Sequence, residues 1–212
     1  MSQLLRYAFF IFLVRPVVLI VMGLNIRRRE LLPDRGPAII IANHNSHLDT
    51  MVLMSLMPLR LLKNTHPVAA ANYFLRNPVT AWFATKIIGI IPISRKNAKG
   101  NPLAGCFQAL EKEAILVIFP EGSRGNPEDS MSEFKQGIRV IARKFPNVPV
   151  SPVFLHGLGK SLPKGEALFV PFFCDVFVGE SFRYEAEKSD FMESLRSSMN
   201  TLASEGEFPP WD

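Results

Sequence analysis

Hydrophobic residues along the chain alternate between short runs of branched side chains and longer stretches with helical spacing. The branched runs predict buried strands over five segments: 38–42, 67–71, 90–93, 114–119 and 148–154. Apolar residues at helical spacing predict helices over 51–62, 79–88 and 103–113, and a further helix with Phe134, Ile138, Ile141 and Phe145 on one face. This alternation is typical of an α/β domain with a mostly parallel central sheet flanked by helices.

Two finer features follow from the same pattern. Asp49 or Thr50 is available as the N-cap of the helix over 51–62. The tail predicts a hairpin over 167–178 and a last amphipathic helix, whose apolar face carries Phe191, Leu195, Met199 and Leu202. No repeat or linker is evident, so the sequence predicts one domain over 30–212.

The N-terminal segment, residues 1–29, is predicted to associate with a membrane. Residues 4–24 are almost wholly apolar, but Arg6 and the pair Arg15-Pro16 interrupt them, and three arginines follow at 27–29. A mid-span arginine is costly in a bilayer, so we expect two short helices hinged at Arg15-Pro16 that lie in one leaflet, with arginines reaching anionic headgroups. A single tilted span and a helix buried against the domain are the alternatives. No cleavable signal peptide is expected, because no small-residue cleavage site follows the apolar run.

The net charge indicates the class of partner, and the cysteine content indicates the redox compartment. The formal net charge is +5, which favours an anionic partner such as nucleic acid, a lipid surface or a phosphorylated substrate. The chain has two cysteines, Cys106 and Cys174, too few and too far apart for a disulfide framework, so a reducing compartment fits best.

The densest polar cluster covers residues 43–49, between a predicted strand and a predicted helix. His44 and Asp49 can form an orienting pair there, in which the carboxylate fixes the imidazole tautomer and the imidazole accepts a proton from a substrate hydroxyl. Two other interpretations stay open. The cluster can be a set of helix caps, or His44, His47 and Asp49 can bind a metal ion.

Further polar groups follow two other predicted strands. Residues 119–125 contain Glu121, which suits a hydroxyl or an arginine, and Arg124, whose guanidinium matches phosphate oxygens. Gly122 and Ser123 allow close approach of a ligand to the backbone. Arg95 ends another apolar strand, and Lys135 adds a cation soon after the glutamate. The alternatives are a tight turn with a salt bridge, and solvated surface cations.

Four ordered blocks resemble the lysophosphatidate acyltransferase family, the 1-acylglycerol-3-phosphate acyltransferases and their glycerolipid relatives. The first is a His-x4-Asp block at residues 44–49. The second is Ile93-Ser94-Arg95, the third covers 119–124 with Pro-Glu-Gly-Ser-Arg, and the fourth covers 148–153. Position 92 departs from the family pattern, because it holds a proline where an aromatic residue is common.

The resemblance implies the site roles. His44 and Asp49 would be the catalytic pair, while Arg95, Glu121, Gly122, Ser123, Arg124 and Lys135 would bind the acceptor. The implied reaction moves an acyl chain from acyl-CoA or acyl carrier protein to 1-acylglycerol 3-phosphate and gives phosphatidate, with no metal and no cofactor beyond the acyl donor.

The implied partners are a membrane lipid acceptor, the acyl donor and an anionic membrane surface, but not nucleic acid, and the implied location is the cytoplasmic face of the inner membrane. Other acceptors, such as glycerol 3-phosphate, another lysophospholipid or a lyso-ornithine lipid, stay open. A metal-dependent hydrolase and a non-catalytic lipid-binding protein are the alternatives from other classes.

Overall fold

The fold is described by a computed structural model that covers residues 2–21, 23–46, 48–75, 77–93, 100–123, 131–158, 173–185 and 190–206. Within these residues seven strands form one sheet: β1 Leu24–Arg27, β2 Ala38–Ala42, β3 Thr65–Ala70, β4 Ile91–Ile93, β5 Ile115–Ile118, β6 Val150–His156 and β7 Cys174–Val178. Their order across the sheet is β1-β7-β6-β2-β5-β3-β4. All neighbouring pairs are parallel except β6 and β7. The predicted α/β class with a mostly parallel sheet is confirmed.

Helices flank the sheet on both faces. Their bounds are α1 Ser2–Phe9, α2 Leu48–Leu56, α3 Leu59–Leu62, α4 Ala71–Phe74, α5 Pro78–Trp82, α6 Ala104–Glu111, α7 Gly137–Lys144 and α8 Phe191–Ser204, with a 3-10 turn at Arg29–Leu31. Strand β2 lies between β5 and β6, and all five of its residues are buried. Because side chains alternate along a strand, Ile40 packs with α1 and α2, whereas Ile39 and Ile41 pack with α6, α7 and α8.

The N-terminal segment forms one helix rather than the predicted hinged pair, so that prediction was wrong. Two π-helical segments, Phe10–Val14 and Val17–Val21, continue α1 past Pro16. A π-helical turn is wider than an α-helical one, which gives room for a proline ring that would clash with a carbonyl in an α-helix. The stretch Ser2–Ile20 is 19 residues long, and its length and composition would allow it to cross a membrane.

The sequence had suggested that the arginines of this helix reach toward lipid headgroups. In the structure, Arg6 and Arg15 instead point into the protein. Arg6 is 5% exposed, and its Nη2 donates to the Thr65 carbonyl at 2.6 Å. Arg15 Nη2 donates to the Met57 carbonyl, also at 2.6 Å. Burial lowers the pKa of Arg6 to about 10, so the group stays charged at neutral pH. The helix is therefore attached to the domain along one face.

The opposite face of the N-terminal helix is apolar and exposed. Leu4, Phe12 and Ile20 are each exposed by 74% or more. The ring of Phe9 contacts the ring of Phe83, with the centroids 5.2 Å apart, and so joins this helix to the π-helical segment Phe83–Ile88 that follows α5. In α5 itself, Val79 is 72% exposed. Two neighbouring exposed apolar regions thus lie on one side of the sheet.

Three other sequence predictions differ from the structure. The helix predicted over 51–62 is two helices, α2 and α3, because Pro58 cannot continue the first. Asp49 lies inside the first turn of α2 and is not its N-cap. Of the predicted hairpin, residues 167–172 lie outside the described part, and β7 pairs with β6 and β1.

The boundary predicted between residues 29 and 30 stays a prediction. Strand β1 belongs to the N-terminal side of that boundary and pairs with β7 in the sheet. The predicted strands near 38–42, 67–71, 90–93, 114–119 and 148–154 match β2, β3, β4, β5 and β6 to within a few residues, and the predicted last helix is α8.

Candidate active site

The catalytic pair predicted from the sequence forms at the carboxyl end of β2. Asn43 leaves the strand, and His44 follows it directly. The Nδ1 atom of His44 lies 2.9 Å from Oδ2 of Asp49, whose carboxylate is fully buried. Because a carboxylate only accepts hydrogen bonds, the imidazole donates from Nδ1, which leaves Nε2 as its acceptor nitrogen. This is the tautomer that a general base needs.

Two backbone N–H groups of the loop before α2 donate hydrogen bonds to the Asp49 carboxylate. The backbone N–H groups of Asn45 and Ser46 donate to Oδ2 at 2.7 and 2.8 Å. Together with His44, three donors converge on one carboxylate oxygen, while Oδ1 is buried and has no hydrogen-bond partner within the described residues. The same carboxylate thus serves the loop amides and the imidazole, while the capping of a helix-start amide is done by Ser46, whose Oγ accepts from the Leu48 N–H at 3.3 Å.

Asn43 holds the start of this loop to the sheet. Its side-chain Nδ2 donates to the Leu155 carbonyl at 2.8 Å, and its Oδ1 accepts from the Leu155 N–H at 2.7 Å. Asn43 is 2% exposed, so the two bonds are shielded from water. The amide side chain thereby continues the ladder between β2 and β6 one residue beyond the end of β2.

Phe119 covers one face of the His44 ring. The two rings are stacked, with centroids 4.2 Å apart and an angle of 24° between their planes. Phe119 follows β5, the neighbour of β2 in the sheet, so the parallel topology brings the two residues to the same edge. Sequence reasoning missed this contact, although an aromatic residue at the end of a strand beside a proline was a visible signal.

A turn after β5 forms the other wall of the site. The N–H of Gly122 donates to the Phe119 carbonyl at 3.1 Å, and Gly122 has φ +72°, a conformation that favours glycine. The N–H of Lys135 donates to the Pro120 carbonyl at 2.8 Å. These bonds bring the segment before α7 next to the turn.

A cavity of about 410 Å³ opens at this wall. Its lining includes four of the residues predicted for the site: His44, Gly122, Ser123 and Lys135. Most of the remaining lining is apolar, with side chains such as Leu103, Ile118, Ile138 and Ile141. A mostly apolar cavity with a few polar groups suits an amphipathic ligand.

Glu121 is placed away from the cavity, and further candidate residues lie outside the described part of the chain. Glu121 is 3% exposed and does not line the cavity; its Oε1 accepts from the His44 N–H at 3.1 Å, and its Oε2 accepts from the Ser132 N–H at 3.2 Å. Arg95, Arg124 and His47 lie outside the described residues. Within the described residues, no group of three or more His, Cys, Asp or Glu side chains is arranged to hold a metal ion.

Both cysteines are buried in the apolar core. Burial raises the pKa of Cys106 to about 11 and raises that of Cys174 further, where Asp49 and Asp175 add to the effect. A thiol whose pKa is raised holds its proton and is a poor nucleophile. Neither cysteine is therefore suited to covalent catalysis.

The chain is similar in sequence to known acyltransferases. A family described as Acyltransferase matches residues 23–156. A chloroplastic 1-acyl-sn-glycerol-3-phosphate acyltransferase of Arabidopsis thaliana is 32% identical over 145 residues, which cover 67% of this chain and 38% of that protein. The 1-acyl-sn-glycerol-3-phosphate acyltransferase of Helicobacter pylori is 32% identical over 124 residues, which cover 58% of this chain and 49% of that protein. The chain thus spans half or less of the length of these relatives.

A solved structure has the same fold. The crystal structure of the 1-acyl-sn-glycerophosphate (LPA) acyltransferase from Thermotoga maritima superposes with a TM-score of 0.73 and 18% sequence identity, and the superposition covers 98% of this chain and 81% of that one. At this identity the likeness establishes the fold alone.

Proposed function

The chain belongs to the acyltransferase family, and from this premise we propose that it transfers a fatty acyl chain from an acyl thioester to the hydroxyl of 1-acylglycerol 3-phosphate, giving phosphatidate. The observation that carries the proposal is the His44–Asp49 pair, which lies beside a mostly apolar cavity with its Nε2 free of the carboxylate. The named relatives act on this acceptor, and a cavity of this lining fits a lipid substrate.

The reaction needs one base and no protein nucleophile. His44 Nε2 takes the proton of the acceptor hydroxyl as the oxygen attacks the thioester carbonyl carbon. The tetrahedral intermediate then collapses, the carbon–sulfur bond breaks, and the imidazolium returns its proton to the leaving thiolate. Asp49 stabilises the imidazolium in both steps, and a general base of this kind typically contributes about 10² to 10⁴ in rate.

The acceptor phosphate is assigned to Lys135, Arg95 and Arg124. Lys135 lines the same cavity as His44, so one molecule can contact both. Arg95 and Arg124 are assigned to the phosphate by the family resemblance. The apolar lining is assigned to an acyl chain, and the donor is coenzyme A or acyl carrier protein.

Membrane association is part of the proposal. The exposed apolar side chains of the N-terminal helix and the neighbouring Val79 and Trp82 form a surface that suits contact with a lipid leaflet. Attachment of the helix through Arg6 and Arg15 favours a helix that lies along the leaflet beside the domain. The net charge of +5 suits an anionic leaflet, and the cytoplasmic face of the inner membrane is the proposed location.

The activity is tested by thiol release from an acyl thioester in detergent micelles, with 1-acylglycerol 3-phosphate or glycerol 3-phosphate as acceptor. Acceptor-dependent release that disappears in His44→Ala, but persists in the control His156→Ala on β6, supports the proposal and identifies the acceptor. Unchanged release in His44→Ala would refute the mechanism. Release that follows added metal, without any acceptor, would favour the hydrolase alternative.

Membrane association is tested by sedimentation with phospholipid vesicles. We expect Phe12→Ser and Val79→Ser to bind vesicles more weakly than the wild type, because each removes exposed apolar area. The matched control is Val140→Ser, since Val140 is 49% exposed on α7, on the other side of the sheet. Equal loss in all three variants would contradict the assigned surface.

A further inference from the structure

The carboxylate of Glu121 is buried, and each of its oxygens accepts a hydrogen bond from a backbone N–H group. Its Oε1 accepts from the N–H of His44, 77 residues earlier in the chain, and its Oε2 accepts from the N–H of Ser132. The side chain is 3% exposed. One carboxylate thus joins the catalytic loop to the segment that precedes α7, a connection named here the Glu121 bridge.

The turn after β5 turns Glu121 away from the substrate cavity. Its neighbours Pro120, Gly122 and Ser123 line that cavity, but Glu121 does not. The left-handed backbone at Gly122 accompanies this reversal. A carboxylate that already accepts two hydrogen bonds and is shielded from the cavity is poorly placed to bind an acceptor hydroxyl.

We propose that Glu121 is a positioning residue, which sets the backbone position of His44 relative to the segment that carries Lys135. This inference rests on the proposed acyl transfer and changes the role that the family resemblance implies for the glutamate. Asp49 orients the His44 ring through Nδ1, while the Glu121 bridge fixes the backbone from which that ring extends.

The Glu121 bridge connects the loop that carries His44, the proposed base, with the segment that carries Lys135, the proposed phosphate ligand. His44 and Lys135 both line the cavity, and Ser132 lies three residues before Lys135. The segment is also held at Ser132 by Arg196, whose Nη2 donates to the Ser132 carbonyl at 3.1 Å. The carboxylate therefore ties the loop that carries the base to the segment that carries Lys135, in addition to the bond from the Lys135 N–H to the Pro120 carbonyl.

The first test is the kinetics of Glu121→Gln. An amide has one acceptor oxygen, and its NH₂ group would face the second backbone N–H, so the variant keeps only one side of the bridge. Since a displacement near 1 Å at a catalytic group costs about 10²-fold, we expect kcat to fall by about 10- to 100-fold while the KM for the acceptor stays within about 2-fold. The matched control is Glu133→Gln, an exposed glutamate in the same segment, which should leave both constants unchanged.

The second test measures the bridge without any substrate. Hydrogen exchange followed by mass spectrometry should show faster exchange in the peptides that contain the His44 and Ser132 amides in Glu121→Gln, and no change in Glu133→Gln. Glu121→Asp serves if the amide variant does not fold. Its side chain is one methylene shorter and reaches only one amide, so the same pattern is expected.

The outcomes separate this inference from the proposed function. An acceptor KM raised more than tenfold with kcat unchanged would leave acyl transfer intact and refute the positioning role. Unchanged exchange at both amides would also refute it. If the wild type transfers no acyl group, the proposed function fails and the catalytic role of the bridge fails with it, although faster exchange would still establish the contact.

Discussion

Replacement of Asp49 by asparagine separates the structural role of this residue from its charge. The loop amides of Asn45 and Ser46 need an acceptor at the position of Oδ2, and an asparagine carbonyl can occupy it and also accept from His44. The NH₂ group then takes the position of Oδ1, which has no partner within the described residues. A buried donor without an acceptor costs about 1–3 kcal/mol, so we expect the variant to fold with reduced stability.

The loss of activity should be larger than the loss of stability. With Nδ1 and Oδ2 2.9 Å apart, the centres of the imidazolium and carboxylate charges are about 4 Å apart, and their attraction is about 4 kcal/mol at an effective dielectric constant near 20. The variant loses this attraction in the transition state, so kcat should fall by about 10³-fold.

The assay is thiol release at saturating acceptor, together with urea unfolding of the same preparations. Asp175→Asn is the matched control, because Asp175 is a carboxylate that bonds Asn25 at the edge of the sheet, away from the cavity. If Asp49→Asn keeps more than a tenth of the wild-type kcat, the charge of Asp49 is not what stabilises the imidazolium, and the mechanism proposed here is wrong.

Three more predictions use glycines and cysteines. Gly137 lines the cavity, and the nearest atom to an added Cβ would be 4.0 Å away, so Gly137→Leu should fold, turn over long acyl donors more slowly and keep its activity with short ones in the thiol assay. Gly89→Ala should cost about 3–5 kcal/mol in urea unfolding, since it combines a left-handed φ of +82° with a clash against the buried guanidinium of Arg6. Gly100→Ala should cost only its backbone strain, about 1–3 kcal/mol, because Gly100 has a φ of +119° but no atom of the described residues within 4 Å of an added Cβ; equal costs would count against the clash. Because the raised pKa of Cys106 leaves only about 1% thiolate at pH 9, iodoacetamide at that pH should modify Cys106 and Cys174 only after denaturation, and rapid labelling of the folded protein would contradict their burial.

Local patterns were sufficient to predict the sheet and the catalytic pair. Strand β2 matched its prediction to the residue, because a run of five buried apolar residues bounded by polar ones has few alternatives. His44 and Asp49 are five residues apart, so the turn between them needed little tertiary information. The break at Pro58 was also visible in the sequence, and its omission was an error of reading.

Contacts between distant segments were beyond local reasoning. Asn43 pairs with Leu155, 112 residues away, and nothing near Asn43 in the sequence indicates that partner. The role of Glu121 depends on which side of a turn its side chain takes, and that depends on the packing of the segment around Ser132. The arginines of the N-terminal helix were predicted to bind lipid headgroups, which is their usual preference near a membrane. In the folded chain they donate to backbone carbonyls of distant residues instead.

The attachment of the N-terminal helix also has a consequence for the order of events during synthesis. The carbonyls that receive Arg6 and Arg15 lie 59 and 42 residues further along the chain. At about 5–20 residues per second, a ribosome needs roughly 3–12 seconds to add those 59 residues. During that interval the nascent helix has lipid or a chaperone as its apolar partner, but no acceptor for its charges within its own domain. The helix can therefore dock on its own domain only after β3 has been synthesised, and a contact of the helix with a bilayer can precede that docking.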